Sequence, residues 1–145
     1  MLRTNSELTI EDRVRELERE VLHLKEREAT LIKSENRLRH LFNGARDAIF
    51  ITDADGNFVD INDGATSLTG YSKQELNGMS IENLHDAQDL ASLQKTFAQI
   101  MQGESVTFET KIRLKDGSHA DIECSNRRIL VHEIPYVHMV ARDIT

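Results

Sequence analysis

The sequence predicts an α+β domain, a five-stranded antiparallel sheet with helices on one face, preceded by a long N-terminal helix. Three observations carry this. Residues 1–42 contain no Pro and no Gly and are crowded with Glu, Arg, Leu and Lys, all good helix formers. From Asp47 the apolar residues change to short runs separated by Gly-bearing turns, the pattern of strands and hairpins. Those runs come as two strands, a helical middle and three strands, which segregates helices from an antiparallel sheet.

The first segment, residues 1–42, reads as one amphipathic helix, with Thr4 and Glu7 spaced as a capping box at its start. Its apolar residues repeat by sevens. Ile10, Leu17, Leu24, Leu31 and Leu38 share the d position, and Val14, Val21 and Phe42 share the a position. β-Branched residues at a with Leu at d favour two parallel strands. In an in-register pair Arg13 would face Glu18 of a partner and Glu20 would face Lys25, both attractive. The pattern therefore predicts a homodimer through a parallel coiled coil, with Ile10, Val14, Leu17, Val21, Leu24 and Leu31 at the interface. Glu28 and Glu35 at a positions weaken the second half of the seam, where the apolar surface spreads to Ile32 and Leu41.

The second segment, residues 43–145, reads as a globular domain. "AIFITD", "ADGN" and "FVDIN" form a hairpin around a Gly-bearing turn. Asp53, Asp55 and Asn57 match the opening of a calcium loop, but Phe58 stands where that loop needs Gly and Gly64 where it needs a bidentate Glu, so calcium is rejected. Short helices follow in "GATSLTG" and "SKQELNG", with Ser72 as N-cap ahead of Glu75 and Gly78 as the stop. A longer helix spans about Ala87 to Met101, ending at Gly103. The last runs, "SVTFETKIRL", "HADIECSNRRILV" and "YVHMVARDI", are strands. Asp116-Gly117 sets a tight turn between the first two, and Pro135 falls in the second connection.

Composition narrows the function classes. A chain of 145 residues has room for one modest domain plus the helix. One cysteine, Cys124, excludes an internal disulfide and a four-cysteine metal site. No apolar run reaches the roughly 20 residues of a membrane span and no signal peptide opens the chain, so a cytoplasmic location without direct membrane contact is expected. Residues 1–42 hold nine Lys/Arg against nine Asp/Glu, while residues 43–145 hold nine against sixteen and carry the net charge of −7. Phosphate backbones need basic faces, so no nucleic-acid partner is expected.

The stretches "DAIFITDADGNFVDIND", "TGYSKQELNG", "RLKDGS" and the terminal "RDIT" resemble a PAS domain, a sensory box, over about Leu38 to Thr145. The chain departs from the family pattern at His85-Asp86-Ala87-Gln88-Asp89, which lacks a Pro, and at Asn62-Asp63-Gly64-Ala65. The resemblance implies a sensory or relay module such as those of bacterial two-component histidine kinases or cyclic-dinucleotide signalling proteins. It implies that Asp-Ile-Thr closes the last strand and leads toward a C-terminal output domain absent from this chain. It also assigns Asp143 and Thr145 a relay role at that exit.

PAS domains frequently hold a small ligand between the sheet and the long helix. Strand alternation and the helix stripe nominate Ile49 and Ile51, Phe108, Ile122 and Cys124, and Val137 and Met139 from strands. Tyr71, Leu93 and Phe97 join them from the helical middle. No cofactor is evident. The flavin-reactive Asn-Cys-Arg motif is missing, c-type haem lacks its cysteine pair, and the long helix has no His. His85, just before that helix, is the one candidate for an axial haem ligand. His119, His132 and His138 fall in or near strands with no metal spacing. No catalytic constellation or phosphate-cradling loop is present, so the chain is expected not to be an enzyme. The alternative to a sensor is a ligand-free dimerisation scaffold with a filled core.

Overall fold

The structure is a computed structural model that describes residues 9–145. The chain divides into two compact units, one ending at Leu41 and one running from Phe42 to Thr145.

The first helix, α1, spans Ile10–Gly44. Thr9 caps it: its hydroxyl accepts from the Asp12 backbone N–H at 3.2 Å and donates to the Asp12 carboxylate at 2.9 Å. The cap satisfies an N–H that the first turn leaves unpaired. The expected Thr4–Glu7 capping box lies outside the described residues. None of the helix's residues is buried, and Ile10, Val14, Leu17, Val21, Leu24 and Leu31 are all exposed. Arg13 pairs with Glu16 at 3.0 Å one turn on.

The second unit is an antiparallel five-stranded sheet with helices. Its strands are β1 (Ala48–Thr52), β2 (Phe58–Ile61), β3 (Val106–Arg113), β4 (His119–Val131) and β5 (Ile134–Asp143). They lie in the order β2-β1-β5-β4-β3. The first and last strands of the domain are thus neighbours, with Ala48 opposite Ala141 and Thr52 opposite Val137. Between β2 and β3 come α2 (Asp63–Thr69), α3 (Lys73–Asn77) and α4 (Leu90–Met101), with 3-10 turns at Ile81–Leu84 and Ala87–Asp89. The start of the expected long helix is therefore a 3-10 turn.

Local chemistry explains the joints. The Asp53 carboxylate accepts from the backbone N–H groups of Asp55 and Asn57 and from the Asn57 amide. This closes the β1–β2 turn and occupies the acid that a calcium loop would have used. Ser72 and Glu75 form the expected capping box on α3, and Lys115 reaches Glu75 at 2.9 Å. Asp116-Gly117 makes the β3–β4 turn, with Gly117 at φ 87°. The β4–β5 connection is only His132-Glu133, at φ 51° and 65°, between the paired Val131 and Ile134. Pro135 consequently lies inside β5, opposite Leu130, and not in the connection.

Along β1 the buried positions are Ala48, Phe50 and Thr52, so Phe50 packs inward and its ring meets Phe58 at 5.2 Å. Inward residues of β4 and β5, including Ala120, Ile122, Cys124, Val137, Met139 and Ala141, complete the sheet's contribution to the core. Leu76, Ile81, Leu84 and Ile100 cover it from the helical side.

Candidate ligand cavity and exit strand

Between the sheet and α4 lies a cavity of about 30 Å³. Six of the nominated residues line it: Leu93, Phe97, Phe108, Ile122, Cys124 and Met139. The other four do not. Ile49 and Ile51 are half-buried on the opposite side of β1, because the strand's inward phase belongs to Phe50. A one-residue change of phase turns every side chain to the other face. Val137 faces inward and is fully buried, but the cavity reaches only Met139 and Ala141 of β5. Tyr71 packs against the core without touching the cavity. Cys124 is buried, and desolvation pushes its thiol up to about 12.

The cavity also has a wall that strand periodicity did not reveal. Phe50, Ile81, Leu84, Ile100 and Ile112 contribute apolar surface, and His85 contributes the one imidazole. His85 is 5% exposed. Its Nδ1 lies 3.0 Å from the Ile81 carbonyl, one 3-10 turn earlier. A carbonyl only accepts, so Nδ1 carries the proton and donates. Nε2 is buried and has no hydrogen-bond partner among the described residues. Next to it, Asp86 binds Arg113 at 3.1 Å and His119 Nε2 at 2.8 Å, tying the segment that carries His85 to β3 and β4.

The chain's entry and exit lie together at the paired strands β1 and β5. Asn62, fully buried, caps α2 and binds four backbone groups. Its Oδ1 accepts from Ile49 N–H at 2.8 Å and Ala65 N–H at 3.0 Å. Its Nδ2 donates to the carbonyls of Phe42 at 2.9 Å and Asp47 at 3.1 Å. Asp143 is exposed and accepts from the Thr145 backbone N–H at 2.9 Å. The Thr145 hydroxyl, and then its N–H, hold the Asp143 carboxyl below the ordinary carboxylate range. That hydroxyl also accepts from Asp121 N–H at 3.2 Å, and Ile144 N–H donates to the Asp121 carbonyl at 2.9 Å. Ile144 and Thr145 therefore fasten the exit to β4, and the Asp143 carboxylate holds Thr145. An open hollow is lined by Asn43, Arg46 and Asp47 from the entry and by Ala141 and Asp143 from the exit.

A sheet ordered 2-1-5-4-3, with helices inserted between its second and third strands, is the arrangement that the motifs implied, and the sequence profile of the PAS fold matches residues 36–144. The chain belongs to the PAS family. It is similar to the PAS domain of an HTR-like protein from Haloarcula marismortui, at 29% identity and a TM-score of 0.74, over 83% of this chain and 99% of that one. A domain of a sensory box sensor histidine kinase/response regulator from Geobacter sulfurreducens matches at 27% identity and a TM-score of 0.63, over 76% and 95% of the two chains. Among curated proteins, the methyl sulfide methyltransferase-associated sensor of Methanosarcina acetivorans is 32% identical over 116 residues, which is 79% of this chain. The chain spans only 12% of that relative's length. This PAS domain is thus similar to a domain of a sensor histidine kinase/response regulator and to part of a sensor protein.

A haem in this PAS domain would depend on His85 as its axial ligand. The unpartnered Nε2 is the kind of atom an iron would take, but a 30 Å³ cavity is many times too small for a porphyrin. The described geometry does not fit haem. Among the described residues no group of three or more His, Cys, Asp or Glu is gathered to hold a metal, and no helix is long and apolar enough to cross a membrane.

Proposed function

We propose that this PAS domain is a dimeric sensory relay: it pairs through its N-terminal helix and passes a conformational change from its core to a C-terminal output domain, without catalysis of its own. The observation that carries this reading is the adjacency of entry and exit. β1 and β5 are hydrogen-bonded neighbours, Ala48 lies opposite Ala141, and Asn62 and Asp143 fix the backbone on either side. A shift in β5 is then felt at both ends of the domain. The exposed heptad residues of α1 support pairing, since an apolar stripe of that kind gains by burial against a second copy. The short share of the curated relative that the chain spans supports a place within a larger signalling protein.

Replacing Leu17 and Leu24 with Glu tests the pairing. Each buried leucine contributes roughly 1.5–3 kcal/mol, so sedimentation should show a monomer whose PAS unit is still folded by circular dichroism. A variant that stays fully dimeric would exclude the coiled coil. In the parent protein, Asp143→Ala should leave folding and dimerisation intact and uncouple output activity from the stimulus. Unchanged regulation would exclude the relay.

The smallness of the cavity favours a second reading, a ligand-free dimerisation scaffold. Mass spectrometry of the purified protein under native conditions separates the two, because a scaffold carries no bound small molecule.

A further inference from the structure

We propose that the free edge of β3 pairs with the same edge of a second copy of this chain, antiparallel and with Glu109 opposite Lys111, so that two five-stranded sheets run on as one. The contact is separate from α1. It goes beyond the relay reading by adding a second self-association, one that gathers the protein into larger assemblies as its concentration rises.

The two edges of the sheet differ. The outer edge of β2 is covered: Phe58 N–H donates to the Met79 carbonyl at 3.2 Å, Ile81 N–H to the Gly56 carbonyl at 2.9 Å, and Ile61 N–H to the Asp60 carboxylate at 2.9 Å. β3, at the other end of the order, is eight residues long and lacks such cover. Leu114 N–H donates to the Ser118 carbonyl at 2.8 Å, and along an antiparallel strand alternate residues turn their backbone groups to opposite neighbours. Val106, Phe108, Thr110 and Ile112 therefore address β4. Thr107, Glu109, Lys111 and Arg113 turn outward, and their backbone groups have no partner among the described residues. An open hollow lined by Ser92 and Thr96 of α4 and by residues 108–111 leaves room along the strand. An open edge of this kind is a template for another strand.

Charge selects the occupant. Glu109 lies directly opposite Glu123 of β4, and among the described residues no ion pair reaches it. Like charges so placed are destabilising. Lys111, two residues on, pairs with the exposed Asp121 at 3.5 Å. In a two-fold pair centred on Thr110, Glu109 of each copy meets Lys111 of the other, and Thr107 meets Arg113. These are the outward residues, so the register joins the backbone groups that lack partners. Sliding one strand by two residues sets Glu109 against Glu109 or Lys111 against Lys111. A second copy thus supplies the counter-charge that β4 does not.

One pair of strands is a smaller contact than a stable dimer needs, so it forms at higher concentration than the pairing of α1. A chain with two different two-fold contacts then builds either a closed tetramer or an open row.

The test uses the 145-residue chain. Sedimentation over a rising concentration series should show growth beyond the dilute species. At the concentrated end the amide protons of Glu109 and Lys111 should exchange roughly tenfold more slowly than at the dilute end, as those of a newly paired edge do. Glu109→Lys and Lys111→Glu each set like charges opposite one another twice, so each alone should weaken the growth roughly tenfold. Mixing the two variants, or joining both changes in one chain, should restore it. Circular dichroism verifies that every variant is folded. No growth with concentration, as expected if the edge takes an extended segment of another protein, would overturn the proposal. So would growth that both single variants retain, or a loss that neither the mixture nor the double variant repairs. The Leu17 and Leu24 replacements are read at the dilute end and these charge changes at the concentrated end, so the two self-associations fail separately.

Discussion

The side-chain amide of Asn62 donates to the carbonyl of Phe42 at 2.9 Å, so a residue after β2 holds the backbone at the end of α1. The same amide group binds Asp47, and its oxygen binds Ile49 and Ala65. One buried side chain thus serves as N-cap, strand clamp and anchor of the entering chain.

Asn62→Ala should destabilise the PAS unit by about 3 kcal/mol or more, from a lost cap of about 1 kcal/mol and buried groups left unpaired at about 1–3 kcal/mol each. Urea unfolding followed by circular dichroism checks it. A loss below about 1 kcal/mol would mean that water replaces the amide.

Gly64 and Gly44 should respond in opposite ways to alanine. A Cβ at Gly64 would sit 2.6 Å from the Asp47 carbonyl oxygen, which is backbone and cannot swing aside, whereas a Cβ at Gly44 meets nothing within 4 Å. Gly64→Ala should cost about 1–3 kcal/mol. Gly44→Ala should be neutral or gain up to about 1 kcal/mol through the unfolded chain. Thermal melts of the two variants decide it.

Stability should fall on mild acidification in part through His138. Burial, and then the charge of Arg127 on the neighbouring strand, hold its imidazole below the ordinary value of 6.5. The unfolded chain therefore binds the proton more readily than the folded one, and stability rises with pH between the folded and unfolded pKa values. The contribution is complete above about 6.5 and is lost as pH falls toward the depressed value. His138→Gln should flatten that limb of a stability-against-pH curve, and a limb of unchanged slope would assign it elsewhere.

Cys124 should be inert in the folded protein. With its thiol pushed up to about 12 by burial, almost no thiolate exists at pH 8 to attack a disulfide reagent. Ellman's reagent should titrate one thiol in denaturant and essentially none before unfolding. Fast native reaction would show that the cavity wall opens far more often than its packing implies.

Much of this could be read before the structure. Heptads, the Ser72 cap and the Asp116-Gly117 turn are local signals, and local signals suffice for helix α3 and for the β3–β4 hairpin. The inward phase of β1 could not be read so. Ala48-Ile49-Phe50-Ile51 is apolar in both phases, and only pairing with β5 and packing on Phe58 choose Phe50. His85 was visible as a residue but not as a cavity wall, since its inward turn depends on a bond to Ile81 in a 3-10 segment that periodicity does not mark. The His132-Glu133 turn carries neither Gly nor Asn, so its positive φ angles leave no trace in composition, and Pro135 is the stronger turn signal although it lies inside β5.

The seating of β5 between β1 and β4 bears on how the protein is made. During synthesis the β1–β2 hairpin emerges first, but its free edge has no native neighbour until the final strand leaves the ribosome. The β3–β4 hairpin waits in the same way, because β5 is the strand that joins the two halves. Contacts between distant parts of a chain form slowly, and unpaired edges are open to aggregation meanwhile. A nascent chain halted before Val137 would hold every helix of this domain and still be unable to close its sheet.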